Sequence, residues 1–110
     1  MARQIDPHEA VDFLIRTAPH YAEAKAERVY LEEYRKTCKA RLMQQFGSLP
    51  LGAQEREAYA HADYLQVLDG LKAAVEKEEL FRWQMIAAQM RGDVWRSMEA
   101  SNRAIDRATQ

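Results

Sequence analysis

The sequence predicts an all-α fold, and three features carry that prediction. Four Gly and three Pro among 110 residues leave few places for the chain to turn. Apolar residues recur at steps of three, four and seven over long stretches, the period of a helix with one buried face. From Asp63 to about Arg107 nothing in the sequence stops a helix, and about 45 residues at 1.5 Å each would run about 68 Å. The expected architecture is an antiparallel hairpin of two long helices with a short N-terminal helix and a short connecting helix. At this size one helical domain, residues 1–110, is expected.

The first element, about 7–17, opens on Asp6 as N-cap, Pro7 at the first helical position and Glu9 three residues after the cap. Ala10, Phe13 and Leu14 line one side, with Val11 and Ile15 beside them. Thr17-Ala18-Pro19 is read as its end, because a proline pushes the preceding residue out of the α region. The second helix, 19–46, carries the stripe Ala24, Leu31, Tyr34, Cys38, Leu42 and Phe46, with charge on its other faces and Glu32 placed to pair with Lys36. Gly47 is read as a left-handed C-cap. Ser48-Leu49-Pro50-Leu51-Gly52 is the one linker, followed by a short helix over 53–60.

Asp63 is read as the N-cap of the last helix, 63–107. Gly70 and Gly92 lie inside it as close-packing points or gentle bends rather than ends, each costing about 1 kcal/mol relative to Ala. Two apolar stripes run along this helix. One joins Tyr64, Leu68, Leu71 and Val75, is interrupted at Glu78, and resumes at Phe81, Met85, Ala88 and Trp95. The other holds Trp83, Ala87, Met90, Val94 and Met98. A helix with one neighbour needs an apolar arc of about 100°, so two stripes imply two neighbours and an oligomeric bundle. Trp83, Met90, Val94, Trp95 and Met98 are the expected association surface, exposed apolar patches being the usual mark of one.

Composition narrows the function classes. A net charge of −1 argues against general polyanion binding. The single Cys38 has no partner for an internal disulfide, and the N-terminal residues do not form a signal peptide, so a reducing cytoplasm is the expected location. No apolar run approaches membrane-spanning length, so no membrane partner is expected.

His8, His20 and His61 have no second His or Cys at helical ligand spacing, and His61 with Asp63 is a weak pair beside a helix start. Cys38 lies on the apolar stripe, where a small buried residue explains it better than a nucleophile does. The acidic pairs lack the Glu-x-x-His spacing of carboxylate metal sites, and Glu78 on the seam is placed to meet a Lys or Arg of the second helix as a register-fixing ion pair. No enzyme, metal or cofactor is therefore expected. Five tyrosines at helical spacing read as core and interface residues rather than base-stacking platforms.

Charge is unevenly distributed. Residues 48–79 carry a net charge of −4, whereas residues 80–110 carry +2, all of their cations being Arg. Arg96, Arg103 and Arg107 share a face and are candidate phosphate contacts, which would read backbone rather than bases. Interleaved Glu99 and Asp106 make the same face equally suited to ion pairs between subunits.

The segments Ala10–Pro19, Tyr21–Glu33, Ala53–His61 and Trp95–Ala104 are together similar to small helical proteins of tailed bacteriophages and prophages, with genes among those of recombination and replication. The resemblance extends over nearly the whole chain and implies a setting, with neither an activity nor catalytic residues. It points to a non-enzymatic accessory protein acting by binding, with a second copy, a phage recombination protein or DNA as partner. The alternative is an anti-defence inhibitor that docks on a host nuclease, its acidic 55–79 region meeting a basic surface, or that sequesters a signalling nucleotide.

Overall fold

The computed structural model of the protein describes residues 5–109, and these form three α-helices: α1 (Pro7–Gln45), α2 (Leu51–Ala60) and α3 (Ala62–Thr109). No strand occurs among the described residues. Asp6 caps α1 as its sequence position suggests, Oδ1 accepting from the His8 N–H at 2.9 Å.

The expected break at Pro19 is absent. α1 is one helix of 39 residues with Pro19 inside it, so the short N-terminal helix and the second helix are a single element. A proline in a helix interior removes one backbone hydrogen bond and costs about 3 kcal/mol. Packing outweighs that cost. The inward positions Ala10, Phe13, Leu14, Thr17, Tyr21 and Ala24 follow one another at steps of one to four, a register that survives only if the helix continues through residue 19. Pro19 and Ile15 both sit on the exposed side, where water can reach the carbonyl that has lost its donor.

Two further ends differ from expectation. No glycine among the described residues has a positive φ, so Gly47 is not a left-handed cap. Instead the last turn of α1 tightens, with the Phe46 N–H donating to Met43 O at 3.1 Å. The Gln54 side chain then donates to Leu49 O at 2.8 Å across the linker. Between α2 and α3 the single residue His61 serves both helices. Its N–H donates to Ala58 O, its own carbonyl accepts from Leu65, and its Nδ1 accepts from the Asp63 N–H at 3.0 Å. His61, rather than Asp63, is therefore the N-cap of α3.

The described chain divides into two compact units, each built from segments of both long helices. The unit of residues 22–79 holds three helical segments around Cys38, Leu42, Ala58 and Tyr64, with Tyr34, Met43, Val67 and Leu68 packed against them. Leu42 meets the start of α3 while Arg28 meets Glu78 further along it, so the segments of α1 and α3 run antiparallel here. Ala58 is completely buried, which lets α2 lie close against its neighbours. The seam runs through Ala74 rather than Val75, which is exposed.

Glu78 is buried as the seam required and is gripped by Arg28, Nε to Oε2 at 2.6 Å and Nη2 to Oε1 at 3.0 Å. This forked geometry fixes both partners in plane and holds the Arg28 guanidinium well above its ordinary pKa, chiefly through the hydrogen bond to Glu78. Arg28 also reaches Glu32 at 3.1 Å, and Lys36 pairs with Glu33 rather than with Glu32. Lys39 ties α2 to α1, its Nζ donating to Glu55 at 2.6 Å while lying 4.6 Å from the centre of the Tyr59 ring.

The other unit takes in the start of α1 and the part of α3 from Leu80 onward. Ala10, Thr17 and Ala88 are its buried residues among those described. His20 stacks on Phe81 with ring centroids 5.9 Å apart. Gly92 lies within α3 with open space around its absent side chain, whereas Leu31 lies 3.8 Å from where a Cβ would stand at Gly70, in the first-described unit.

Two outcomes follow from this arrangement. Pro19→Ala should stabilise the protein by about 2 kcal/mol in urea denaturation; a neutral or lowered midpoint would mean that α1 is interrupted. The hydrogen bond to Glu55, followed by that to Tyr59, pushes the Lys39 pKa up from 10.5 to about 12. The folded state thus favours protonated Lys39, so its contribution is complete below the unfolded value and is lost as pH rises towards about 12. The stability gap between wild type and Glu55→Gln should shrink over that interval, and a constant gap would refute the assignment.

Candidate binding surface

The long α3 helix positions the candidate residues by its period. At 100° per residue, Leu80, Trp83, Met90, Val94, Met98 and Ile105 fall within 40° of a line through Val94. All six are exposed, between 48 and 60 % of each residue's surface being accessible. Four of the five residues expected to form the association surface, Trp83, Met90, Val94 and Met98, thus lie together on an open face. Arg82 stands over the Trp83 ring at 5.2 Å, leaving the indole partly covered by a cation.

Trp95 does not belong with them. It is half-buried and shares its helical position with Phe81, Met85 and Ala88 at steps of four, three and seven. That is the inward stripe of this segment, so Trp95 supports the fold of the unit rather than its outer surface. The spacing itself contained this distinction, since the two stripes are rotated by about 100° from Val94 to Trp95.

The arginines also separate. Arg96 is ion-paired with Asp93 three residues earlier. Arg103 and Arg107 are exposed and border a shallow depression with Ala100 and Asp106, the Arg107 Nε donating to the Arg103 carbonyl at 3.4 Å. Neither makes an ion pair among the described contacts. Two cations beside one carboxylate make a modest anion-facing patch, weaker than the three-arginine face expected from spacing.

The groove between α1 and α3 in this unit is lined by Asp6, Glu9, Asp12, Arg16 and Arg91 together with Phe13, Ile15, Ala87 and Ala88. The acids and Arg16 come from α1 and its cap, and Arg91 from α3. Among the described residues no three of His, Cys, Asp and Glu converge to hold a metal ion. Cys38 is buried in the core cluster of the other unit. No described helix is long and apolar enough to cross a membrane.

No protein family, curated protein or solved structure matches this chain. Sequence reasoning overlooked the cap at His61 and the stacking of His20 on Phe81; the first was detectable, because a lone residue between two helical runs must satisfy both ends.

The two tryptophans should separate by assay. Trp83→Ala should leave thermal stability within about 0.5 kcal/mol, as surface substitutions do, while weakening association. Trp95→Ala should lower stability by about 2 kcal/mol or more through lost packing. Equal stability losses in the two variants would contradict their assignment to different faces.

Proposed function

We propose that this protein is a non-enzymatic accessory factor that acts by binding, with the exposed apolar face of α3 as its association surface. The observation that carries the proposal is the row of six large apolar side chains left open along one helix face. Monomeric proteins rarely expose a continuous apolar patch of more than a few hundred Å² without an interaction to cover it. In this reading the protein works as a helical oligomer and offers its charged residues to a further partner.

The setting in bacteriophage DNA recombination or replication, and the bacterial cytoplasm as location, rest on the resemblance of the sequence segments. Arg103 and Arg107 would supply phosphate contacts, with Arg96 less available because of Asp93. Such contacts would be few, and binding would fall steeply with salt.

Light scattering at low and high salt, with and without a short single-stranded oligonucleotide, tests the proposal. The expected result is a stable oligomer at both salt concentrations whose mass rises with the oligonucleotide at low salt alone. An oligomer indifferent to DNA would overturn the recombination setting in favour of a protein target in the host. A monomer under all conditions would overturn association through α3.

A further inference from the structure

The α3 face has a second property besides being apolar: between Trp83 and Ile105 its residues, Arg91 and Ser97 excepted, match in size about a centre at Val94. Taking Val94 as the centre, Met90 and Met98 stand four residues to either side. Ala87 and Ser101, both small, stand seven away. Trp83 and Ile105, both large, stand eleven away. All seven positions are exposed on the described chain. A two-fold axis at Val94 would therefore place each side chain opposite one of matching size, with the bulk of Trp83 beside the small Ser101 of a second copy. An isologous interface has this self-complementarity, because residue i meets j while j meets i.

Charge supports the same occupant. Between residues 80 and 105, the positions within about 60° of the line through Val94 include one charged residue, Arg91. Arg91 lies at the edge of this face and lines the same groove as Asp6, Glu9 and Asp12 of its own chain. Asp93, Arg96, Glu99 and Arg103 lie farther round the helix, as does the backbone of Arg82, whose guanidinium reaches back over the Trp83 ring. A nucleic acid would need cations on this face, whereas an apolar helix does not.

Area is consistent as well. Six large side chains, each about half accessible, contribute on the order of 100 Å² apiece, or about 600 Å² per chain. Ala87, Ser101 and the neighbouring Ile15 (66 % exposed) bring this close to the roughly 800 Å² that each partner gives to a standard interface.

From these features we infer that the occupant of the α3 face is a second copy of this chain, packed antiparallel about a two-fold axis at Val94. This deepens, and rests on, the reading of that face as the association surface. The pairing sets Met90 against Met98, Ala87 against Ser101, and Trp83 against Ile105 of the other copy. Where two helices alone leave an apolar face open, the second copy supplies the missing layer and closes a four-helix arrangement.

The test is thiol cross-linking of the full chain in a Cys38→Ala background, with folding checked by circular dichroism and mass by light scattering. Val94→Cys should give a covalent dimer with a short bis-maleimide. A mixture of Trp83→Cys and Ile105→Cys chains should cross-link to each other, whereas Trp83→Cys alone should not, since the two copies of that position would lie about 33 Å apart along the helix axis. Cross-linking of Trp83→Cys to itself but not to Ile105→Cys would mean parallel packing and would overturn the inference while leaving the association surface intact. A dimer in light scattering with no cross-link at Val94 would likewise place the interface elsewhere. A monomer at all concentrations would overturn both the inference and the association it rests on.

Discussion

Two helices can close only one seam. An α-helix paired with a single neighbour buries an arc of about 100°, and any apolar residue beyond that arc stays open. In the unit of residues 22–79, α2 supplies a third segment, and Ala58, Cys38, Leu42 and Tyr64 come together beneath it. In the other unit no third helix is present among the described residues, and the side of α3 facing away from α1 retains its large apolar side chains. The third segment in the unit of residues 22–79 explains why Tyr64 is buried there, whereas the large apolar residues on the outer side of α3 from Leu80 onward stay exposed.

The seam is narrow, and its chemistry reflects that. The buried positions are mostly small: Ala10, Thr17, Ala24, Cys38, Ala58, Ala74 and Ala88. Small residues bring helix axes close but gain little apolar burial individually. Leu42 and Tyr64 are the large exceptions. Such a seam needs something more directional to fix how far the helices slide, and the Arg28–Glu78 fork provides it. A carboxylate buried on an otherwise apolar stripe is poorly tolerated away from its guanidinium, so registers that separate the two are disfavoured. Lys39 has the same role for α2, meeting Glu55 and the Tyr59 ring at once.

Helix continuity follows from this seam more than from local preference. Proline at 19 and glycine at 92 both disfavour a helix where they stand, and both are within long unbroken helices. Each is accommodated where the local defect does least harm: Pro19 on the exposed side, Gly92 where no neighbouring atom depends on it. The placement of Trp95 shows the same dominance of packing. Trp95 stands about 100° around α3 from Val94, on the stripe of Phe81, Met85 and Ala88, and is half-buried there.

Much of this protein is written in its residue pattern. Helical class, the stripe from Ala24 to Leu42 and the cap at Asp6 follow from short-range spacing and capping chemistry, which operate within a few residues. So does most of the open face, because Trp83, Met90, Val94 and Met98 share a helical position whatever lies nearby. The Arg28–Glu78 pair, in contrast, joins residues 50 apart in sequence, and α2 begins at Leu51, inside the expected linker. The continuity of α1 and the shift of the α3 cap to His61 depended on tertiary structure. In each case local propensity permitted more than one outcome, and the energy that decided among them came from contacts between residues brought together by the fold or from the geometry of a tight connection. A proline's local cost is legible from one residue; the packing that outweighs it is distributed over the whole length of a helix and its neighbour.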